Sequence, residues 1–258
     1  SREFTQMEME FFCEDEGSLD WFEYWKEQRW KYYTEKLGFT EDEIQWAPHD
    51  KLAHYAKAAV DIEFKFPFGW GELEGIHHRG TWDLQQHQEF SGQNMEYLDP
   101  VTGKRFLPTV VETSVGCDRT ILAILCHAYA EDKAPTQKEG MEDDIRIVLR
   151  FPPRIAPIQV GVLPLSKKLN DKAAEVQKKI QQFYRTELDV TGNIGKRYRK
   201  QDEIGTPKCV VIDFDTLEDN TVTIRDRDSM QQERVKIEAL HAIISKEVNL
   251  SNILKKLK

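Results

Sequence analysis

The chain has 258 residues, 40% of them hydrophobic and 31% charged, which is enough apolar material for two ordinary domains and excludes an intrinsically disordered protein. Net charge is -9, split unevenly: residues 1 to 150 carry 16 basic and 30 acidic groups, and residues 151 to 258 carry 20 basic and 15 acidic. A polyanion would be drawn to the second part, although an excess that small is also common on proteins that touch no nucleic acid. With no apolar run near the ~18 residues a membrane helix needs, and charged first residues, the expectation is a cytoplasmic protein with neither membrane span nor signal peptide. Cys13, Cys117, Cys126 and Cys209 form no C-x-x-C pair and have no histidine at finger-like spacing, so reduced thiols are expected.

In chain order, Arg2 to Phe12 predicts a strand with Arg2, Phe4, Gln6, Glu8 and Glu10 on one face and Met7, Met9 and Phe11 on the other. Ser18 to Leu37 predicts a helix whose Trp21, Trp25, Trp30 and Tyr33 are packing residues. Thr40 and Glu43 have the spacing of a capping box for a further short helix. Ala53 to Phe64 predicts an alanine-rich helix running into a strand, and Gly69 to Ile76 a second strand. Alternation sets Trp70, Glu72, Glu74 and Ile76 on one face, so Glu72 and Glu74 lie side by side. Adjacent carboxylates are comfortable when solvated, or around a metal ion, an ammonium or an arginine. Gly69, Gly71 and Gly75 weaken that strand and suggest backbone that something approaches closely.

The run Glu112-Thr113-Ser114-Val115-Gly116-Cys117-Asp118-Arg119 leads into the apolar helical stretch Ile121 to Leu125 and sets Arg119 in a helix's first turn. A cation there opposes the helix dipole, which makes sense if an anion such as phosphate sits between them. Pairing of Arg119 with Asp118 or Glu112 on a solvated surface is the competing explanation. Pro152, Pro153 and Pro157 then mark an extended connector, where the charge balance also changes sign. Beyond it come a strand from Ile158 to Leu163, a helix from Asn170 to Tyr184 with Ala173, Val176, Ile180 and Phe183 on one side, strands at Lys208 to Phe214 and Thr221 to Arg225, and a closing amphipathic helix from Gln232 to Val248. Such alternation predicts an α/β layer sandwich.

Four segments, Arg2 to Glu8, His54-Tyr55-Ala56-Lys57-Ala58, Glu72-Leu73-Glu74-Gly75-Ile76 and Glu112 to Arg119, together resemble the homodimeric type of class II glycyl-tRNA synthetase. Gly192 to Tyr198, Asp202-Glu203-Ile204-Gly205 and Arg225 to Met230 are similar to the anticodon-binding domain of that family. The resemblance implies an α+β first part, an antiparallel sheet with flanking helices over residues 1–150, running from the second arm of motif 2 to motif 3. It implies a mixed five-stranded α/β anticodon-binding domain over 151–258. It further implies ATP-dependent activation of glycine to glycyl-adenylate and transfer to tRNA(Gly), with ATP and Mg2+ required and a homodimeric parent. Positioning and charge neutralisation carry that chemistry, with no covalent enzyme nucleophile.

Carried over by residue, the resemblance implies that Arg2, Glu3 and Phe4 bind ATP, with Glu72, Leu73, Gly116, Cys117, Asp118 and Arg119 on the same nucleotide. Arg119 and Glu72 are the implied catalytic pair, Glu72 also a magnesium ligand. Glycine is assigned to Phe4, Thr5, Gln6, Met7, Glu8, Glu74, Glu112, Thr113, Ser114, Val115 and Gly116. Glu112 and Ser114 are expected to form a wall that rejects any side chain on the substrate, since a glycine pocket must select by exclusion. Lys196, Arg197 and Arg199 are candidate tRNA phosphate contacts, or a solvated helix face.

The chain departs from the family at Thr113, commonly proline, and at Cys117, commonly apolar. Motif 1 and the first arm of motif 2 are absent from it, so a fragment with weak activity or none is expected. Two alternatives belong to other classes: a catalytically silent synthetase-like nucleic-acid-binding factor, and an RNA-binding module using residues 151–258 alone.

Overall fold

The computed structural model describes residues 2–49, 51–134 and 144–248. The chain divides into two compact units, Ser1–His127 and Ala128–Lys258.

In the first unit the order of elements is β1 (Gln6–Cys13), α1 (Ser18–Lys31), β2 (Ile44–Pro48), β3 (Ala58–Phe66), β4 (Gly69–Gly80), α2 (Trp82–Ser91), the short strands β5 (Tyr97–Leu98) and β6 (Arg105–Phe106), β7 (Thr109–Gly116) and α3 (Cys117–Ala128). Five strands form one antiparallel sheet in the order β1-β7-β4-β3-β2. The helix predicted for Ser18 to Leu37 is present as α1 followed by a π-helical turn over Tyr32–Leu37. Gly38, at φ 82, ends it in the left-handed conformation that glycine adopts without a Cβ clash.

This helical segment covers one sheet face. Phe22, Tyr33, Leu37 and Phe39 pack there with Val60, Ile62, Phe64, Ile76 and Val111 from the strands. Period two sends Met7, Met9, Phe11, Thr113 and Val115 to the same side as Val111, because these residues oppose one another in register across β1 and β7. The other face carries Gln6, Glu8, Glu112, Ser114, Gly75, His77 and Asp61.

Two predicted helices are absent. Thr40 and Glu43 do bond as in a capping box, the Thr40 N–H and hydroxyl donating to Glu43 Oε2 at 2.8 and 2.9 Å, but they close a single turn that enters β2. Residues 53–57 form turns ahead of β3, with the Lys57 N–H bonded to the His78 carbonyl. Strand pairing with β4 supplies the bonds a helix would have made.

The second unit contains the hairpin β8 (Tyr129–Ala134) and β9 (Asp144–Leu149), then β10 (Val160–Pro164), α4 (Asn170–Ile180), β11 (Thr186–Leu188), α5 (Ile194–Glu203), β12 (Lys208–Ile212), α6 (Asp215–Asp219), β13 (Thr221–Asp226), β14 (Gln232–Lys236) and α7 (Leu240–Val248). Its mixed sheet runs β11-β10-β12-β13-β14, with the first three strands parallel, β13 antiparallel to β12 and β14 antiparallel to β13. β10 and β12 are buried along their whole length, as parallel strands covered on both faces require. Val176 and Ile180 of α4 and Leu240 and Ile244 of α7 cover one face, while Ile194 and Tyr198 of α5 lie against Leu163, Cys209 and Val211 on the other.

The division at 127/128 places the β8–β9 hairpin with the second unit, upstream of the proline-rich connector. Its anchor is Arg146, which is 1% exposed. Arg146 pairs with Asp132, reaches Asp202 of α5 at 3.2 Å and donates to the Arg227 carbonyl at 2.7 Å. Asp202 also takes Arg225 at 2.8 and 3.0 Å. The predicted closing helix is corrected: Gln232–Lys236 is a strand, and the helix begins at Leu240. Pairing of Val235 with Val222 on β13 decides it. Phe183 lies past the end of α4 and is exposed, with Tyr184 buried in the core position expected of it.

Candidate active site

The strand predicted for Gly69 to Ile76 continues to Gly80, and a bulge at Leu73 changes what it presents. Ile62 pairs with Glu74 but the next residue, Glu63, pairs with Glu72, so Leu73 is the extra residue and period two is broken there. The expected side-by-side pair of carboxylates is therefore parted. Glu74 turns into the helix face, fully buried, accepting from Arg29 Nε at 2.5 Å, Arg29 Nη2 at 3.1 Å and the Tyr33 hydroxyl at 2.6 Å. Burial beside that carboxylate drives the Tyr33 phenol far above its usual range. Glu74 is thus a structural residue walled off from the sites expected of it, while Glu72 stays exposed on the other face.

A cleft of about 400 Å³ opens on that other face. Its lining comes from three separated segments: Phe4 and Gln6, Glu72 and Leu73, and Ser114, Gly116, Asp118 and Arg119. Arg119, at the start of α3, pairs with neither Asp118 nor Glu112. Its Nη1 donates to the Glu72 carbonyl at 2.6 Å, next to the bulge, and its side chain lines the cleft. Asp118 accepts from the Thr5 N–H at 3.0 Å while the Cys117 N–H donates to the Thr5 carbonyl at 2.8 Å. These two bonds pin the entry of β1 to the start of α3. Gln6 Nε2 donates to Glu8 at 2.8 Å and to Ser114 Oγ at 2.6 Å, so Gln6, Glu8 and Ser114 form one polar group.

Glu112 lies one alternation back from Ser114 along β7, on the same face. It is buried, accepts from Arg79 Nη1 at 2.6 Å and faces His77 Nδ1 at 3.5 Å. The bond from His77, then that from Arg79, hold its carboxyl below the usual carboxylate range against the opposing effect of burial. Arg79 also holds Asp83 at 2.8 Å and lies over the Tyr55 ring, 4.9 Å from its centroid. His77 and Arg79 are absent from the expected set. Ending the strand at Ile76 concealed them; extending the alternation from Gly75 would have placed His77 opposite Glu112.

Of the other expected residues, Met7, Thr113 and Val115 line a smaller cleft on the helix side with Arg29 and Tyr33. Alternation separates their side chains from Ser114 and Glu112. Arg2 and Glu3 are exposed and precede β1. In the second unit, Arg197 is buried, with its guanidinium donating to the carbonyls of Thr191 at 3.0 Å, Gly192 at 2.8 Å and Pro164. It clamps a loop and has no face for a phosphate, which corrects that expectation. Arg199 donates to the Ile145 carbonyl at 2.9 Å, and Lys196 is exposed in the first turn of α5, which Asn193 caps. Among the described residues no helix is long and apolar enough to cross a membrane.

The sequence and the fold are similar to those of known proteins. Residues 159–247 match the model of the anticodon binding domain. A glycine–tRNA ligase of Clostridium acetobutylicum is 52% identical over 250 residues, covering 96% of this chain and 53% of that protein. A glycine–tRNA ligase of Clostridium kluyveri is 51% identical, covering 96% and 52%. The fold is similar to prolyl-tRNA synthetase from Cryptosporidium parvum, solved with L-proline and AMP: TM-score 0.65 at 16% identity, covering 95% of this chain and 50% of that one. The chain spans about half the length of the curated relatives it matches. Over that shared half, the chain is similar to glycine–tRNA ligases.

Proposed function

We propose that this chain supplies the cleft and the anticodon-binding domain of a glycine–tRNA ligase. In the first step a glycine carboxylate oxygen attacks the α-phosphorus of ATP, the bond from that phosphorus to the bridging oxygen breaks, and pyrophosphate leaves. In the second, a terminal ribose hydroxyl of tRNA(Gly) attacks the glycyl carbon, loses its proton, and AMP departs. No residue forms a covalent bond with substrate; rate comes from positioning and from charge placed where it is needed.

One observation carries the reading. A single cleft gathers Phe4, Gln6, Glu72, Ser114 and Arg119 from segments more than a hundred residues apart at their extremes. Arg119, with its backbone-anchored guanidinium, binds the terminal phosphates of ATP. Phe4, 60% exposed on the cleft wall, offers its ring to adenine, and Arg2 and Glu3 stand on the nucleotide side. Glu72 is an exposed oxygen donor of the kind that holds Mg2+ together with substrate phosphates, and such an ion would neutralise phosphate charge. Glu8 and Glu112 provide the negative charge for glycine's ammonium, with Gln6 and Arg79 fixing them.

Ser114 and Glu112 wall the α-carbon, so a methyl there would clash and strip water from a carboxylate. Of Lys196, Arg197 and Arg199 on α5, Lys196 is the best placed for a tRNA phosphate. Homodimerisation and a cytoplasmic site of action come with the same reading. The test is glycine-dependent exchange of pyrophosphate into ATP by a polypeptide of the relatives' full length carrying this sequence. Exchange with glycine and not with alanine is expected. Absence of exchange with tRNA binding intact would favour a silent nucleic-acid-binding factor.

A further inference from the structure

The polar face of the first sheet also holds a group of side chains that the ligase reading leaves unused. His49 follows the end of β2, Asp61 lies on β3 and His77 on β4. One potential ligand atom from each stands within 4.8 Å of the other two. His49 Nε2 is 2.9 Å from Asp61 Oδ2, and the two imidazole rings meet edge to face with centroids 5.9 Å apart.

Two further features distinguish this group from an ordinary surface ion pair. Gly75 lies beneath it: a Cβ at that position would stand 2.6 Å from His77 Cε1, 3.2 Å from His77 Nε2 and 3.4 Å from Asp61 Oδ1. The lack of a side chain at residue 75 is what lets the His77 ring lie across the sheet towards Asp61. On its other edge, His77 Nδ1 faces the Glu112 carboxylate at 3.5 Å. That contact places the ring proton on Nδ1 and leaves the Nε2 lone pair on the Asp61 side. A carboxylate behind a histidine in this way fixes the tautomer and raises the basicity of a metal-ligating imidazole.

Two imidazoles and one carboxylate are a donor set for a borderline transition ion, since harder ions such as Mg2+ prefer oxygen alone. All three side chains keep some solvent contact, so water can complete the coordination. We infer that His49, Asp61 and His77 bind a single divalent metal ion of the zinc class, with Glu112 as the outer carboxylate that orients His77. None of its three ligands is assigned to ATP or glycine, and Glu112 behind His77 is the one residue it shares with the proposed glycine site.

Titration of the chain with Co2+ tests it. One ion per chain is expected, with the visible absorption of a low-coordinate nitrogen and oxygen site, no thiolate charge-transfer band, and displacement by Zn2+. H49A and D61N are each expected to weaken binding by about 100-fold, and E112Q by about 10-fold. His49 lies beyond the strand end and is partly exposed, so H49A should keep the metal-free unfolding midpoint of the parent chain. A thiolate band, which would place the ion on cysteines, overturns the proposal. So does undiminished affinity in H49A and D61N, or no binding at submillimolar metal.

Discussion

The two faces of the first sheet each hold a buried carboxylate paired with an arginine, and the pairs serve different ends. On the helix face, Glu74 is fully buried behind Arg29 and Tyr33, beside a core of Phe and Ile side chains, and does not line the cleft there. On the other face, Glu112 is held by Arg79 and His77 one alternation from Ser114, next to a cleft. Similar chemistry lies behind a helix on one face and beside an open cleft on the other, which is why only the second pair enters the proposed glycine site. Burial of a charged group identifies neither role alone; what lies on its far side decides.

The largest effect that could break this comparison is expected at Glu74. Replacing it by alanine leaves the buried Tyr33 hydroxyl and the partly exposed Arg29 guanidinium without their partner and should cost about 3 kcal/mol in denaturant unfolding. An equal loss from E112A would show that both pairs are structural. Next, R119A in a full-length ligase should lower glycine-dependent pyrophosphate exchange by about 10²–10³-fold with little change in stability, as removal of a donor to developing charge does. A drop in stability as large as that of E74A would instead make Arg119 chiefly a clamp on the Glu72 carbonyl.

A smaller effect, about 1–3 kcal/mol, is expected from G75A, whose methyl would drive into the His77 ring. Displacement of His77, read from its ring resonances by NMR, would confirm that the polar face is strained while the helix face stays intact. The smallest concerns pH. The folded-state pKa of Glu112 is depressed, so its contribution to stability is present above its unfolded value, near 4.5, and is lost as pH falls through the lower folded value. E112Q should therefore show a shallower loss of stability below pH 4.5 than the parent chain, by about 1 kcal/mol. An unchanged acid limb would mean that other carboxylates dominate it.

Much of the site was legible because its residues alternate along unbroken strands. Gln6 and Glu8 on β1, and Glu112 and Ser114 on β7, follow period two, and the start of α3 after Gly116 follows from the apolar run behind Arg119. Met7, Thr113 and Val115 could have been separated from them by the same rule, since they are their out-of-phase neighbours. Glu74 could not. The bulge at Leu73 is a property of pairing between β3 and β4, and one inserted residue turns every later side chain to the opposite face.

The antiparallel first sheet and the mixed second one were implied by the resemblance to glycyl-tRNA synthetases; by itself the sequence determined the order of the motifs and the alternation of strands and helices. Those depend on residue type and local period, which survive without knowledge of neighbours. Only the tertiary structure decided that Glu74 is walled off and Glu72 exposed, that Gln232–Lys236 joins a sheet instead of a helix, and that Arg197 clamps carbonyls instead of facing solvent. Each turns on a partner distant in sequence, and a side chain's environment is set by what packs against it.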